Sequence, residues 1–260
     1  MRKLYIICLI VLIACVGCQW KMRSDDEKTA IAFAVDRFDQ IELRYLTTGD
    51  FSALQQMKTG YPVETRTLIE DVLKLGRVDD ADINQRFLHF FQDSTLQTLI
   101  EDVNREYADM ADVDKELGRA FDRLTKLLPH AEVPHVYTQI GSLDQSIIVS
   151  DSLLGISLDK YLGENHPVYL YYGYTQQQRS TMTRAFIVPD CIGFYLLSLY
   201  PLPDDATDDD RHWHMSKIQH VVNQVMGRPV FSRDAISQLE NYQRTHASVT
   251  IDSLLRLKSL

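Results

Sequence analysis

The chain has 260 residues, of which 45% are hydrophobic, and its 36 Asp and Glu against 27 Lys and Arg give a formal net charge of −9. An acidic chain with no block of basic residues is unsuited to binding nucleic acid or to binding anionic lipid electrostatically, so the composition argues against both functions. Only Cys191 of the four cysteines lies beyond residue 18. A disulfide framework is therefore excluded, and Cys191 is expected to be a small buried side chain.

The N-terminus has the composition of an export signal. Residues 1–3 are basic and residues 4–14 are almost wholly apolar, a stretch too short for a stable membrane span. The tetrapeptides LIAC (12–15) and CVGC (15–18) both resemble the bacterial lipobox, whose cysteine is acylated and becomes the first residue. A leucine three residues upstream favours Cys15, and the length of the apolar region favours Cys18. One of the two is the predicted lipidation site; a plain secretory signal or a short anchor helix is the alternative.

Residues 19–29 (QWKMRSDDEKT) are polar and show no periodicity, which predicts a flexible tether. The acidic cluster at 25–27 is either part of a solvated linker, the interpretation we favour, or a sorting signal for the outer surface. The remaining chain can bury one good core, and no linker divides it. The predicted organisation is a signal peptide over 1–18, a tether over 19–29 and a single globular domain over 30–260.

Helical periodicity and stop signals dominate the first half of the domain. Residues 31–39 fit a strand or the start of a helix, and Gly49 and Asp50 separate them from a short helix over 51–58. Further helices are predicted near 64–75, 82–92, 94–107 and 113–128. Ser94 and Gln97 have the spacing of a capping box for the third of these, and Pro129 ends the last.

Strand-forming residues follow at 133–140 and 146–149, with a turn over 141–144 between them, so we predict an antiparallel pair. Residues 153–161 are expected to form a loop and a short helix. Pro189 fits the first turn of a helix that runs to about Leu199. A helix over 208–226 has an acidic start, one apolar face and Gly227 as its stop. Two more helices are predicted at 233–244 and 249–259, capped by Ser232 and Ser248. The fold class is therefore α+β, predominantly helical with a small antiparallel sheet.

Several motifs stand in a characteristic order. A β-segment at 136–140 precedes DSLL (151–154), LDKYLG (158–163), an aromatic stretch containing Tyr171 and Tyr172, and IVPD (187–190); VDRFD (35–39) lies upstream. This set resembles GldB, a family of gliding-motility lipoproteins of the Bacteroidetes, over most of the chain up to about Leu202. The resemblance implies a lipid-anchored envelope protein linked to gliding or to the associated secretion machinery.

GldB-like proteins are distantly similar to zinc peptidases in which the helix after the proline carries His-Glu-x-x-His, two histidines that bind zinc and a glutamate that acts as general base. The corresponding segment here, RAFIVPDC (184–191), has no histidine, and the motif occurs nowhere in the chain. The resemblance therefore implies a degenerate metallopeptidase-like fold, and neither a metal nor another cofactor is expected. Surface or helix-capping roles are expected for the eight histidines.

Other catalytic patterns are also missing. No Gly-x-Ser-x-Gly elbow and no phosphate-binding glycine loop occur in the sequence. The carboxylates of Asp159 and Asp190 could face one another in a cleft, with Tyr161 beside them. We favour the simpler interpretation, in which Asp159 bonds to backbone in a turn and Asp190 meets the dipole of its helix.

Four tyrosines make the most suggestive polar and aromatic patch: Tyr169, Tyr171, Tyr172 and Tyr174. Tyrosine rings stack on sugars and their hydroxyls form hydrogen bonds, so a glycan platform is conceivable, although ordinary half-buried packing is favoured. The candidate cleft residues are therefore Asp159, Tyr161, Tyr171, Tyr172 and Asp190, and no catalytic residue is assigned.

The expected function is that of a non-enzymatic protein held in the cell envelope by an N-terminal acyl-cysteine. It would sit on the periplasmic side of the inner or outer membrane, or on the surface, and act through protein partners in the envelope. Two alternatives stay open. One is a divergent hydrolase or peptidase that uses carboxylates without zinc, and the other is a glycan- or lipid-binding module.

Overall fold

The structure, a computed structural model, describes residues 33–150 and 152–257. Most of these residues are helical and three short strands form one sheet, which confirms the predicted predominantly helical α+β class. The described residues all lie in one compact unit. No helix in the described part of the chain has both the length and the apolarity needed to cross a bilayer.

From residue 33 onward, six α-helices precede the sheet: α1 (Phe38–Thr48), α2 (Phe51–Gly60), α3 (Pro62–Arg66), α4 (Ile83–Phe90), α5 (Ser94–Glu106) and α6 (Ala111–Leu127). A π-helical segment, Thr67–Val72, continues α3. The predicted break between α1 and α2 is confirmed: Gly49 adopts a left-handed φ of 67° and its N–H bonds to the carbonyl of Tyr45 at 2.8 Å. The side chain of Asp50 then accepts the N–H of Ser52 at 2.8 Å and caps α2.

The start of α5 differs from the prediction. Asp93, not Ser94, is the cap, because its carboxylate accepts the N–H groups of Thr95 and Leu96 at 2.8 and 3.2 Å. The side chain of Gln97 donates to the carbonyl of Phe91 instead of closing a capping box. A carboxylate one residue earlier therefore took the role that the Ser-x-x-Gln spacing indicated, since Asp is as good a cap as Ser.

The sheet contains β1 (His135–Gln139), β2 (Ile147–Val149) and β3 (Leu153–Ser157), in the order β1-β3-β2. β3 is the central strand, parallel to β1 and antiparallel to β2. The predicted antiparallel pairing of 133–140 with 146–149 is therefore wrong, and so is the prediction of a loop at the start of 153–161. The predicted turn over 141–144 exists, but the two strands it joins are not neighbours.

Gly155 explains why the sequence does not indicate a strand at β3. It lies opposite Tyr137 of β1, and a Cβ at this position would come within 2.6 Å of the tyrosine ring. Glycine in a strand reads as a breaker in the sequence, but here it leaves room for the buried ring of Tyr137. Of the segment 31–39, the described residues 33–37 form no strand of the sheet: Asp36 makes only an isolated parallel bridge with Tyr137, and α1 begins at Phe38.

The helices after the sheet are α7 (Pro167–Tyr171), α8 (Gln176–Arg179), α9 (Ile187–Leu199), α10 (Asp208–Met226), α11 (Asp234–Thr245) and α12 (Ile251–Arg256), with short 3₁₀ turns at Leu158–Lys160 and Arg184–Phe186. Pro189 lies in the first turn of α9, as predicted. The bounds predicted for α10 are confirmed, and Gly227 ends it with a left-handed φ of 66°. Both predictions depended on local stop signals.

The serine caps predicted for the last two helices are wrong. The side chain of Thr250 caps α12 by accepting the N–H of Ser253 at 3.1 Å. α11 begins after Arg233 with no side-chain cap. Ser232 and Ser248 thus each lie one or two residues too early for the role assigned to them.

The sheet packs against two helices: α1 contacts β1, and α9 contacts β2 and β3. α9 also packs on α6 and α10. Several polar side chains are fully buried where α1 meets the sheet: Asp39, Glu42, Thr138, Gln139, Ser157 and Asp159. Because buried polar groups need partners, this layer determines how the nearby turns are held.

Candidate functional site

Asp159 holds the turn that follows β1. Its carboxylate, fully buried, accepts the backbone N–H of Gly141 at 2.7 Å through one oxygen and that of Leu143 at 2.5 Å through the other. Burial raises the pKa of Asp159, and these two backbone hydrogen bonds oppose that shift. The interpretation of Asp159 as a residue that bonds to backbone in a turn agrees with this geometry.

Lys160 and Tyr174 hold the same turn from its other side. The ammonium of Lys160 donates to the carbonyl of Leu143 at 3.2 Å and to the hydroxyl of Tyr174 at 3.1 Å. The Tyr174 hydroxyl in turn donates to the Leu143 carbonyl at 3.0 Å. Two successive residues of the LDKYLG segment therefore fix both polar groups of Leu143.

Tyr161 links the sheet region to α9. Its buried hydroxyl donates to Oδ2 of Asp190 at 2.8 Å, and its carbonyl accepts the hydroxyl of Tyr107 at 2.6 Å. Burial raises the pKa of Asp190 to about 6, although the hydrogen bond from Tyr161 opposes the shift. Burial likewise raises the pKa of Tyr161, so the tyrosine stays protonated and acts as the donor of this pair.

The two carboxylates considered as a catalytic pair have different partners. Asp159 faces the turn at 141–143, and Asp190 meets Tyr161 in the first turn of α9. Neither residue lines either of the two cavities described below. The candidate cleft residues Asp159, Tyr161 and Asp190 are thus brought into one region as structural supports, and none of them lines either cavity.

The four tyrosines of the aromatic stretch diverge. Tyr169 is buried, donates to the carbonyl of Asp159 at 2.6 Å and accepts the N–H of Leu162 at 2.9 Å. Tyr171 and Tyr172 are 75% and 52% exposed, with their rings edge to face at 5.1 Å. Tyr174 is half-buried. Half-buried packing therefore describes Tyr174 but neither the buried Tyr169 nor the two exposed rings.

An open groove of about 580 Å³ lies beside this stretch. Its lining includes Lys74, Phe90, Ser142, Leu143, Tyr172 and Tyr174, and Tyr171 is outside it. The turn that Asp159 and Lys160 hold therefore forms part of the groove wall. Sequence reasoning found the tyrosines but missed Phe90 and Lys74, which reach the groove from segments more than sixty positions earlier in the printed sequence.

A second cavity, of about 670 Å³, lies between the loop after α9, α10 and the end of α12. Lys217 lines it, buried, and its ammonium donates to the carbonyls of Leu255 and Leu257 at 2.7 and 2.6 Å. Burial lowers the pKa of Lys217, and burial followed by the charge of Lys217 lowers the pKa of His214. Nothing in the sequence analysis anticipated this cavity. The available signal was two basic residues, His214 and Lys217, three apart on one face of α10.

The VDRFD segment has a structural role. Asp39 is buried and receives two hydrogen bonds from the guanidinium of Arg37 at 2.8 Å, one from Gln40 at 2.9 Å and one from the hydroxyl of Thr138. Nearby Glu42 accepts the N–H of Ile140 at 2.9 Å, and burial raises its pKa well above the usual range. These residues join α1 to β1 and leave no carboxylate of this layer facing solvent.

Two histidines contradict the expected surface or capping roles. His214 and His220 are only 5% and 2% exposed. His166 does cap its helix, because its Nδ1 accepts the N–H of Val168 at 3.4 Å. Within residues 33–150 and 152–257 no three His, Cys, Asp or Glu side chains converge so as to hold a metal ion; the expectation that the protein uses no metal stays a prediction. Cys191 is buried, as predicted.

The two cysteines of the predicted lipidation site, Cys15 and Cys18, lie outside the described residues. What the described part of the chain defines is a helical α+β protein whose signature residues hold a turn beside an aromatic groove.

Comparison with known families identifies the family of this protein. The family model for the gliding motility protein GldB matches residues 19–228, so the chain belongs to the GldB family. The match reaches beyond Leu202, where the resemblance seen in the sequence ended, and includes the whole of α10. No curated protein matches the chain. No solved structure matches it either.

Proposed function

We propose that this protein is a non-enzymatic, lipid-anchored component of the cell envelope that acts by protein–protein contact in gliding or in the associated secretion machinery. The observation that supports the proposal is the set of hydrogen bonds formed by the family segment LDKYLG. Asp159, Lys160 and Tyr161 each bond to backbone or to another buried side chain. Polar residues engaged in this way support a surface and do not present reactive groups to a substrate.

Exposed apolar residues on α7 supply a contact surface. Leu170 is 55% exposed and the adjacent Tyr171 is 75% exposed, and neither lines the groove. We call these two residues the α7 patch. Adjacent exposed aliphatic and aromatic side chains are typical of protein interfaces, where tyrosine is enriched.

The contact role is tested by complementation of a strain that lacks the gene, with colony spreading as the readout. Replacing the α7 patch by serine (Leu170→Ser with Tyr171→Ser) is expected to abolish rescue at unchanged protein abundance. Phe51→Ser is the matched control, since Phe51 is 67% exposed on α2, and should rescue fully. Full rescue by the patch variant would refute the contact role.

The anchor is tested separately by labelling with an alkyne analogue of palmitate. The family match begins at residue 19, directly after the predicted signal peptide over 1–18. Label should be lost in Cys18→Ser or in Cys15→Ser, and in the double variant, while Cys191→Ser keeps it because that thiol is buried in α9. Label retained in the double variant, or release of the intact chain into the medium, contradicts the anchor.

The non-enzymatic part of the proposal is tested on the soluble chain, residues 19–260. Metal analysis and a peptidase assay with mixed peptides are expected to show neither stoichiometric zinc nor cleavage. Stoichiometric zinc together with cleavage would establish the hydrolase alternative instead.

A further inference from the structure

The groove of about 580 Å³ beside α7 has a volume typical of small-ligand sites. Helical segments on one side and the turn at 142–144 on the other form its walls, and Tyr172 and Tyr174 lie along it. Neither the family assignment nor the proposed contact role gives it a function. Its chemistry can be derived from three features of the wall: backbone conformation, fixed aromatic rings and the polar rim.

The wall contains unusual backbone. Among the described residues, three non-glycine residues have positive φ: Lys74 at 53°, Ser142 at 50° and Leu143 at 69°. All three line this groove. Such conformations persist only where the surroundings impose them, and they are concentrated at binding and catalytic sites. Here Asp159 imposes the conformation of the turn by holding the N–H of Leu143.

One aromatic ring of the wall, that of Tyr174, is held in place by its contacts. The hydroxyl of Tyr174 is engaged with Leu143 and Lys160, and its ring packs edge to face on the buried ring of Tyr169 with centroids 5.8 Å apart. Tyr172 is half exposed and offers its ring to the same groove. Rings that are already fixed lose little entropy when a ligand stacks on them.

Polar groups line the rim beside these rings. Asp93 caps α5 with Oδ1, and its Oδ2 accepts no hydrogen bond from the described residues. Asp144 forms an exposed ion pair with Lys74 at 3.5 Å. The hydroxyl of Ser142 has no protein partner within the described chain and lines the groove. The rim therefore offers both hydrogen-bond acceptors and donors at its surface.

We propose that this groove binds a neutral oligosaccharide, with the apolar face of a sugar ring on Tyr172, beside Tyr174, and its hydroxyl groups on Asp93, Ser142 and Asp144. A sugar combines an apolar face with many hydroxyls, which is the combination that this wall accommodates. Two carboxylates and one paired ammonium give the rim no excess of positive charge, and the whole chain is acidic. Anionic glycans are therefore disfavoured.

The test uses the full chain, purified in a sugar-free detergent, and three uncharged probes: maltohexaose, cellohexaose and chitohexaose. Isothermal titration should show saturable binding of at least one of them. Tyr172→Ala should weaken that binding about tenfold, the loss of one stacking contact. Phe51→Ala is the matched control, an exposed aromatic residue on α2 that lies outside the groove, and should change the affinity less than about threefold.

Three outcomes overturn the proposal. The first is that none of the three uncharged probes binds saturably. The second is that Phe51→Ala weakens binding as much as Tyr172→Ala. The third is that only an anionic probe, a hyaluronan hexasaccharide, binds. Since Tyr172 is half exposed, its removal should leave the thermal unfolding of the chain unchanged, and that measurement shows that the variant is folded. The contact role is read from colony spreading and the groove proposal from sugar affinity, so the failure of one is distinguishable from the failure of the other.

Discussion

Removing the carboxylate of Asp159 tests whether this residue holds the turn that forms the groove wall. In Asp159→Ala the buried N–H groups of Gly141 and Leu143 lose their acceptors. A buried donor left without a partner costs about 1–3 kcal/mol, which gives about 2–6 kcal/mol for two. The burial that raises the pKa of Asp159 shows that its charge is itself costly, and removing that cost offsets part of the loss. We expect a net destabilisation of about 3 kcal/mol.

The measurement is urea unfolding of residues 19–260 at pH 7, followed by circular dichroism. A loss of about 3 kcal/mol corresponds to a fall in Tm of about 6–12 °C for a domain of this size. Asp144→Ala is the matched control, a carboxylate of the same turn that is exposed and forms only a surface ion pair. The control should change the free energy of unfolding by less than about 0.5 kcal/mol.

Asp159→Asn separates the hydrogen bonds from the charge. Its amide keeps one acceptor oxygen for one N–H but places an NH₂ donor opposite the other, so its stability should lie between those of the wild type and Asp159→Ala. If Asp159→Ala is as stable as Asp144→Ala, the turn does not depend on this carboxylate and the reasoning is refuted.

Two further predictions concern α9 and the sheet. Burial raises the pKa of Asp190 to about 6 from the ordinary 3.8, so the free energy of unfolding of the wild type should fall by about 1–3 kcal/mol as the pH rises from 4 to 7. Asp190→Asn should lack this part of the pH dependence. Equal unfolding curves for both proteins at pH 4 and 7 would contradict the prediction. Gly155→Ala should cost about 1–3 kcal/mol, because the new Cβ would lie 2.6 Å from Tyr137, whereas Gly60→Ala, with nothing nearer than 4.0 Å, should add about 0.5–1 kcal/mol to α2. Opposite signs in thermal unfolding are the expected result, and equal shifts would show that the contact with Tyr137 is not limiting.

The helices could be predicted because their signals are local. α10 begins where acidic residues meet a cap and ends where Gly227 turns left-handed, and both features lie within a few residues of the helix they delimit. The caps at α5 and α12 were misplaced by one or two residues, since Asp, Ser and Thr compete for the same position. Such errors leave the helices themselves intact.

The order of the strands could not be predicted in the same way. Pairing β1 with β3 places Tyr137 against Gly155, a contact between residues eighteen positions apart in the numbering. A pattern of strand formers carries no information on which strand lies in the centre, and proximity in sequence favours pairing β1 with β2. The glycine had a structural reason that appears only once the opposing ring is known.

The candidate site was predictable only in part, for a related reason. An aspartate in a turn-like segment is expected to bond to backbone, and Asp159 does so. The sequence did not show that its target is the turn at 141–143. Nor did the sequence show that Tyr172 lines the groove while Tyr171 does not. Successive side chains at the end of a short helix point in different directions.

The segment LDKYLG supports the wall of the groove although its residues 159–161 do not line the groove themselves. Asp159 fixes the N–H of Leu143, Lys160 fixes its carbonyl, and Tyr161 ties the same strand end to Asp190 of α9. None of these three side chains lines the groove, yet each holds a part of its wall or of the region behind it. A substitution in the segment should therefore alter binding by moving the wall, with a loss of stability in proportion. A substitution at Tyr172 should alter binding alone.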